Sequence, residues 1–332
     1  MKHKTRGWSI LYGVLLFGFT LYVLLDAFVI VRRYQAAASD TRQIVDAQTD
    51  AAASIPLETD SAYLYDPVLP AAEEVAGFVA SSRSVVSTDT SYRDENIAVT
   101  LTEYRISDTT VYVADVQVRS SDYLKTAFAD DTYGQNVTAK TSATAEAVDA
   151  ILAVNGDYYG ARRSGYVIRN GVLYRSTVNH GAEDLVIWRD GSFSIISEDE
   201  VSAETLLENG AKNVLSFGPA LIENTEIAVS KDEEVGRAKA SNPRTAIGII
   251  ENGHYVLIVS DGRTDESDGL SLYELATFMK TLGVTTGYNL DGGGSSSMVF
   301  MGKLINKPTT GGQKIKERSV SDIVYIGYGK DA

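Results

Sequence analysis

Three aspartates and three arginines stand at turns between apolar runs, and together they suit chemistry on an anion. Asp157 lies in Asn155-Gly156-Asp157-Tyr158-Tyr159, Asp261 in Ser260-Asp261-Gly262-Arg263, and Asp291 at the head of Asp291-Gly292-Gly293-Gly294-Ser295-Ser296-Ser297. Arg244 follows Asn242-Pro243, Arg263 shares a turn with Asp261, and Arg318 sits in Glu317-Arg318-Ser319. Guanidinium groups grip phosphate oxygens bidentately. Asn155 adds an amide to the same set. Glycosidic cleavage ordinarily uses two carboxyl groups, one as acid and one as base or nucleophile. A phosphate leaving group is already stable as an anion, so it needs less protonation than an alcohol. The same carboxylates beside a phosphate could instead hold a divalent cation, and the sequence does not separate these uses. Taken singly, each stretch has a plainer reading. Asp-Gly and Asn-Gly make turns, and an arginine at a strand end usually forms a surface pair. Asp and Arg repeated at strand ends favour the set.

The loop 291–297 is the centre of this constellation. Gly292, Gly293 and Gly294 allow positive φ and close approach of the backbone to a ligand. With the Ser295 and Ser296 groups they read as an anion nest, a cradle of N–H donors preorganised for negative charge. The composition also suits a flexible linker, but strand-like runs flank it directly.

Those flanking runs must position the chemistry. Residues 97–101, 111–118, 166–168, 246–250, 255–259, 284–290 and 297–301 are apolar and partly β-branched, as strands require. Asn170-Gly171, Asp190-Gly191 and Asn252-Gly253 are hairpin dipeptides. Residues 141–152 read as a helix with Ala147, Val148, Ile151 and Leu152 on its apolar face. A second helix has Ser271 as cap, Glu274 as capping-box partner and Gly283 as terminator. Its buried stripe is Leu272, Leu275, Ala276, Met279 and Leu282. The expected fold is α+β, a mixed β-sheet domain with packed helices over 92–332, preceded by one N-terminal transmembrane helix.

The remainder of the chain bounds the answer. It has 332 residues, no cysteine and three histidines (His3, His180, His254), so a thiolate site and a histidine-rich zinc site are excluded. A serine triad would have to use His180 or His254. The net charge is −14. Residues 1–33 carry Lys2, Lys4, Arg6, Arg32 and Arg33 against Asp26, which leaves the rest still more acidic. Such a body lacks the positive field that nucleic acid requires, and no nucleic-acid partner is expected. Residues 8–31 form an apolar run of about the ~20 residues that cross a bilayer. Ala36-Ala37-Ala38 would suit signal cleavage, but the long core followed by Arg32-Arg33 favours an uncleaved anchor. Three basic residues before the run and two after vote for a cytoplasmic N-terminus. Residues 1–34 are thus read as cytoplasmic tip and anchor. Residues 35–91, rich in Ala, Ser, Thr and Asp, are read as a stalk with a short helix near 71–80. The body would lie outside the cytoplasm, a single-pass protein of the cell membrane.

At the chemistry-bearing residues the chain closely resembles the phosphodiester glycosidase family, to which N-acetylglucosamine-1-phosphodiester α-N-acetylglucosaminidases and bacterial proteins labelled exopolysaccharide biosynthesis belong. The resemblance runs from about Val111 to Ile326. It rests on Ala153 to Tyr159, Ser216-Phe217-Gly218-Pro219-Ala220-Leu221, Asn242 to Gly248, Asp261-Gly262-Arg263 and Gly269-Leu270-Ser271. It continues through Asn289 to Ser296, Asn306-Lys307-Pro308 and Glu317-Arg318. It implies a hydrolase that cleaves between a sugar's anomeric carbon and a phosphodiester oxygen, with a glycan or glycosyl-phosphate as substrate. The linkages cleaved would lie in surface glycopolymers, and Asp157, Asp261 and Asp291 would be the acid/base or metal-holding groups. Asn155, Arg244, Arg263, Arg318 and Gly292 to Ser296 would hold the phosphate. The cysteine-rich extensions of the animal enzymes are absent, so chemistry transfers better than substrate. Two rival readings are a non-catalytic polysaccharide-binding or assembly protein and a metal-dependent phosphodiesterase.

Overall fold

Three antiparallel sheets carry nearly all of the regular structure. The computed structural model describes residues 85–233, 241–310 and 314–330, together with 12–22, 25 and 32–33. The largest sheet has nine strands, in spatial order Glu226–Ile227, Ala220–Glu223, Thr286–Leu290, Arg244–Glu251, His254–Ser260, Thr109–Val118, Ile97–Ile106, Ser91–Arg93 and Val86–Ser87. Its central strands Arg244–Glu251 and His254–Ser260 are buried over most of their length, and their middles, Ala246 to Ile250 and Tyr255 to Val259, carry no charged residue. Both faces are covered, so the usual alternation of apolar and polar residues is lost there.

A five-stranded sheet runs Lys303–Leu304, Met298–Phe300, Leu152–Asn155, Asp322–Ile326 and Leu124–Phe128. The other five-stranded sheet runs Val172–Arg175, Val167–Arg169, Ala211–Leu215, Glu183–Trp188 and Phe193–Ser197. One core joins all three, with Leu124, Leu152, Leu185, Leu215, Ile247, Leu257, Leu290 and Val324 fully buried in it. The outer face of the nine-stranded sheet is covered by the helix Leu272–Thr281, whose Leu272, Leu275, Ala276 and Met279 meet Ala246, Val256 and Ile258.

The expected turns and caps are present. Asn170-Gly171 joins Val167–Arg169 to Val172–Arg175 with both residues at positive φ, and Asn252-Gly253 joins the two central strands. Ser271 and Glu274 form a complete capping box. The helix expected over 141–152 is shorter, Thr141–Ala147, and Leu152 begins a strand instead. Its buried side is Thr141, Thr144 and Ala145, whereas Ala147 is exposed. Asp149 at positive φ turns the chain out of the helix, and the apolar run 151–154 is taken by the sheet. The sheet also reaches back to Val86, before the residue at which the body was expected to begin.

Among the described residues no helix is long and apolar enough to cross a membrane. Residues 12–22 are helical with exposed side chains, a length of roughly 16 Å against the ~30 Å hydrocarbon thickness. Apart from residue 25, the remainder of the expected span lies outside the described residues, as does the helix expected near 71–80.

The covering helix sets a test of the packing. Leu275→Ala removes a fully buried side chain from its centre and is expected to cost about 3 kcal/mol, as for other buried leucines. Urea unfolding of the full chain measures it, and a loss under about 1 kcal/mol would mean that the helix is not packed on the sheet as described.

Candidate active site

The ends of four strands converge where the two larger sheets meet. Asn155, at the end of Leu152–Asn155, is fully buried and makes the joint. Its Nδ2 donates to the Asp291 carbonyl at 2.6 Å. Its Oδ1 accepts from the Thr245 hydroxyl at 2.8 Å and the Ser297 N–H at 3.2 Å. One amide therefore holds both ends of the glycine loop against the nine-stranded sheet. Asn155 was expected to touch substrate; it is spent inside the protein.

A cleft of about 340 Å³ opens beside this joint, lined by Asn136, Thr138, Asp157, Tyr158, Asp291, Ser295 and Arg318 among others. Asp291 carries its acid. Burial lifts the carboxyl to about 6, although the Ser295 hydroxyl, the Arg318 charge and the Gly292 N–H all favour the ionised form. Asp291 is thus poised to exchange a proton near neutrality.

Asp157 reaches the same cleft in a different state. Its Oδ1 accepts from the Tyr159 N–H at 2.9 Å, and its Oδ2 from the Ser216 N–H at 2.9 Å and Arg169 Nη2 at 2.8 Å. Burial opposes its charge, but Arg169 and these N–H donors outweigh burial and hold the pKa below the usual carboxylate range. Asp157 is therefore a fixed anion, committed to its neighbours.

Arg169 serves a second carboxylate. Its Nε and Nη2 lie 2.9 and 2.8 Å from Asp322 Oδ2, and its Nη1 donates to the Ile168 and Val214 carbonyls. Asp322 Oδ1 has no hydrogen-bond partner. Burial raises Asp322 to about 7, the Arg169 charge notwithstanding, with Asp157 adding to the rise. Gly156 is obligatory here, because a Cβ would fall 2.2 Å from Asp322 Oδ1. The sequence pattern missed both Arg169 and Asp322. The available signal was a charge inside an apolar strand, in Val167-Ile168-Arg169 and Asp322-Ile323-Val324.

The glycine loop is more tightly self-bonded than a bare nest. Gly293 donates to the Pro243 carbonyl at 2.8 Å, Ser295 to Gly292 and Ser296 to Gly293, each at 3.2 Å. Of the three glycines only Gly293 has positive φ. Their absent side chains instead admit two arginines. A Cβ on Gly293 would lie 3.1 Å from Arg263 Nη2, and one on Gly294 would lie 3.1 Å from Arg318 Nη2. Arg263 also donates twice to Asn242 Oδ1, at 2.6 and 3.2 Å. Its pKa is lowered by burial and then by the charges of Arg318 and Arg244. Two guanidinium groups thus crowd one loop, with the Arg244 charge close enough to act on Arg263.

The other expected residues sit behind the cleft. Arg244 is buried, with its Nε donating to the Leu270 carbonyl at 2.8 Å. Asp261 is 3% exposed and does not line the cleft; its Oδ1 accepts from Asn306 Nδ2 and the Lys307 N–H at 3.2 and 2.8 Å. Asn306 in turn holds the Met298 N–H and the Ser296 carbonyl, so Asp261 fixes the exit of the glycine loop. Burial raises its pKa. The Ser296 hydroxyl is buried without a partner. Among the described residues no three His, Cys, Asp or Glu side chains group to hold a metal ion. His180 and His254 pair with Asp199 and Asp115, away from the cleft.

The comparisons with known proteins follow this geometry. The sequence model of the phosphodiester glycosidases matches residues 149–327, which contain Asp157, Asp291, Arg263 and Arg318. This chain belongs to the phosphodiester glycosidase family. It is 32% identical over 189 residues to the human N-acetylglucosamine-1-phosphodiester α-N-acetylglucosaminidase, covering 52% of this chain and 36% of that protein. It is also 32% identical over 189 residues to the SPbeta prophage-derived protein YomE of Bacillus subtilis, covering 55% of this chain and 28% of that one. The chain thus spans well under half the length of these relatives. The fold is similar to that of the catalytic domain of the zebrafish N-acetylglucosamine-1-phosphodiester α-N-acetylglucosaminidase, with TM-score 0.55, 23% identity and coverage of 70% of this chain and 83% of that one. A Synechocystis protein gives TM-score 0.54 at 16% identity, covering 70% of this chain and 62% of that one.

The buried Asp322 beside Arg169 makes the stability depend on pH in a definite direction. With a folded value of about 7 against 3.8 for the free group, Asp322 keeps a proton that the unfolded chain has released. Its contribution to stability therefore falls as pH rises through that window and is fully lost above it. Asp322→Asn keeps an oxygen for Arg169 and is expected to flatten the fall between about pH 4 and about pH 7 in urea unfolding. An unchanged slope would show that Asp322 does not titrate there.

Proposed function

We propose that the protein is an extracytoplasmic hydrolase that cleaves sugar-1-phosphodiester linkages in surface glycopolymers. The observation that carries this reading is the pairing of one proton-exchanging carboxyl, Asp291, with the Arg263 and Arg318 guanidinium groups on consecutive glycines of one loop. The human and mouse relatives are named for activity on N-acetylglucosamine-1-phosphodiesters, which supports the choice of bond. The extracytoplasmic location rests on the apolar run 8–31 of the sequence alone.

In this reading Arg263 and Arg318 hold the phosphate oxygens and stabilise the charge that gathers there as the bond breaks. Water adds to the anomeric carbon while the carbon–oxygen bond to phosphate breaks, and the bonding pair leaves with the phosphate monoester. The water's proton passes to the Asp291 carboxylate, which acts as a general base. Asp157 stays ionised throughout, anchoring the turn Asp157 to Tyr159. Tyr158, 44% exposed in the cleft wall, offers a ring face to the sugar.

The deciding experiment supplies the full chain with UDP-N-acetylglucosamine and a synthetic N-acetylglucosamine-1-phospho-methyl ester and measures free sugar, with and without chelator. In oxygen-18 water the label is expected in the sugar; label in phosphate would mean P–O cleavage and a phosphodiesterase. Polymer binding without sugar release would favour a binding protein. Because the base must be ionised, kcat/KM is expected to rise with pH through about 6. Asp291→Asn should abolish that limb and lower kcat by at least about 100-fold, the scale of a lost acid–base group. A loss below about tenfold in a folded variant would remove Asp291 from this role. Arg263→Ala, by contrast, should raise KM by about tenfold or more, since it removes a charge-assisted grip on phosphate.

A further inference from the structure

We infer that Glu317 is a positioning residue that sets the place of Arg318, and through it the grip on the phosphate; the inference rests on the glycosyl-phosphate reading. Glu317 is 8% exposed, a costly place for a carboxylate. Its two oxygens accept from the Ser142 N–H and the Ser142 hydroxyl, each at 2.7 Å. Ser142 is in the first turn of Thr141–Ala147, where N–H groups have no partner within the helix. Lys140, at the N-cap position, supplies no side-chain cap. Glu317 provides that cap from 175 residues away in sequence.

The next residue is the one in the cleft. The Arg318 N–H donates to the Gly294 carbonyl at 3.3 Å, and its guanidinium lies against Gly294. The Arg318 side chain is tied to the protein by a contact of 3.4 Å between Nη1 and Ser295 Oγ, too long and weak to fix a long side chain. Its place is therefore set by the backbone on either side. On one side Ser319–Val320 pairs with Ala139–Lys140; on the other stands the Glu317 clip to Ser142. Both ends dock on the same stretch, 139–142. Loss of the clip loosens residue 317, next to Arg318, and leaves the Lys316 N–H bond to the Pro308 carbonyl, the Gly294 bond and the Ser319–Val320 pairing to hold the stretch.

A purely structural cap would change stability, whatever Arg318 did. A positioning residue changes anion binding only while Arg318 is present. The test measures the affinity of inorganic phosphate by calorimetry, KM and kcat on the synthetic ester, and urea unfolding, for Glu317→Ala, Glu317→Gln, Arg318→Ala and the Glu317→Ala/Arg318→Ala double variant. Glu317→Ala is expected to weaken phosphate binding and raise KM about tenfold, with kcat within about threefold, and to add nothing in the Arg318→Ala background. Glu317→Gln, which can still accept from the N–H and donate to the hydroxyl, should stay within about threefold of the parent. Equal losses with and without Arg318, or unchanged phosphate affinity in a destabilised variant, would overturn the assignment. Phosphate affinity is read without turnover, so an enzyme silent on the ester would count against the substrate reading and leave this test intact.

Discussion

One guanidinium serves two buried carboxylates, and the site is arranged around that shortage. Arg169, Asp157 and Asp322 are each almost completely removed from water. Desolvating three ions is expensive, and their mutual attraction repays it only with good geometry and further hydrogen bonds. Asp157 receives those bonds from Tyr159 and Ser216, and so keeps its charge. Asp322 has Arg169 on one oxygen and nothing on the other, and so tends to keep a proton. The third carboxyl has no such arginine bridge: burial lifts Asp291 to about 6 against the Ser295 hydroxyl, the Arg318 charge and the Gly292 N–H, and the Asp157 anion adds to the rise.

The same economy explains the backbone. Asp322 takes the space where residue 156 would carry a side chain, which forces glycine between Asn155 and Asp157. Asn155 then faces the glycine loop while Asp157 faces the cleft. Two residues apart on an extended chain would normally point the same way. The strand ends at Asn155, and the break is what divides their tasks. Loop 291–297 is therefore held from three sides, by Asn155, by Pro243 and by the Asp261–Asn306 pair. Preorganisation of this kind is the main resource for stabilising charge in a transition state.

Much of this was legible in the residues, and the gaps have physical causes. Hairpins, the capping box and strands on both sides of the glycine loop follow from local chemistry: positive φ, orphan N–H groups and β-branched runs. The ordered polar blocks supplied Asp157, Asp291, Ser295 and Arg318, which the fold brings to one cleft. Proximity in sequence could not rank the aspartates, because all three end strands. Burial with three donors separates Asp157 from Asp291; Tyr159 is local, but Arg169 and Ser216 lie 12 and 59 residues on. Asp261 and Arg244 share turns or neighbours with Arg263, yet face the supporting layer. Residues 141–152 misled because Ile151 and Leu152 continue an apparent helical stripe, while the sheet competes for the same apolar run and wins at Leu152.

The electrostatics of the whole molecule then bear on which anions the cleft can take. A chain of net charge −14 repels anions at long range. At physiological salt that repulsion fades beyond about 8 Å. Arg263 and Arg318 stand against the glycine loop inside this distance, and the charges of Arg318 and of Arg244 behind the cleft lower the proton affinity of Arg263. An anion that enters relieves this repulsion, which a neutral sugar cannot do. Under the proposed reading, the cleft would select a charged group at contact, while the acidic surface gives no long-range help to its arrival. Raising salt would then weaken the repulsion felt on approach more than the contact within, because a desolvated pair is the less screened of the two.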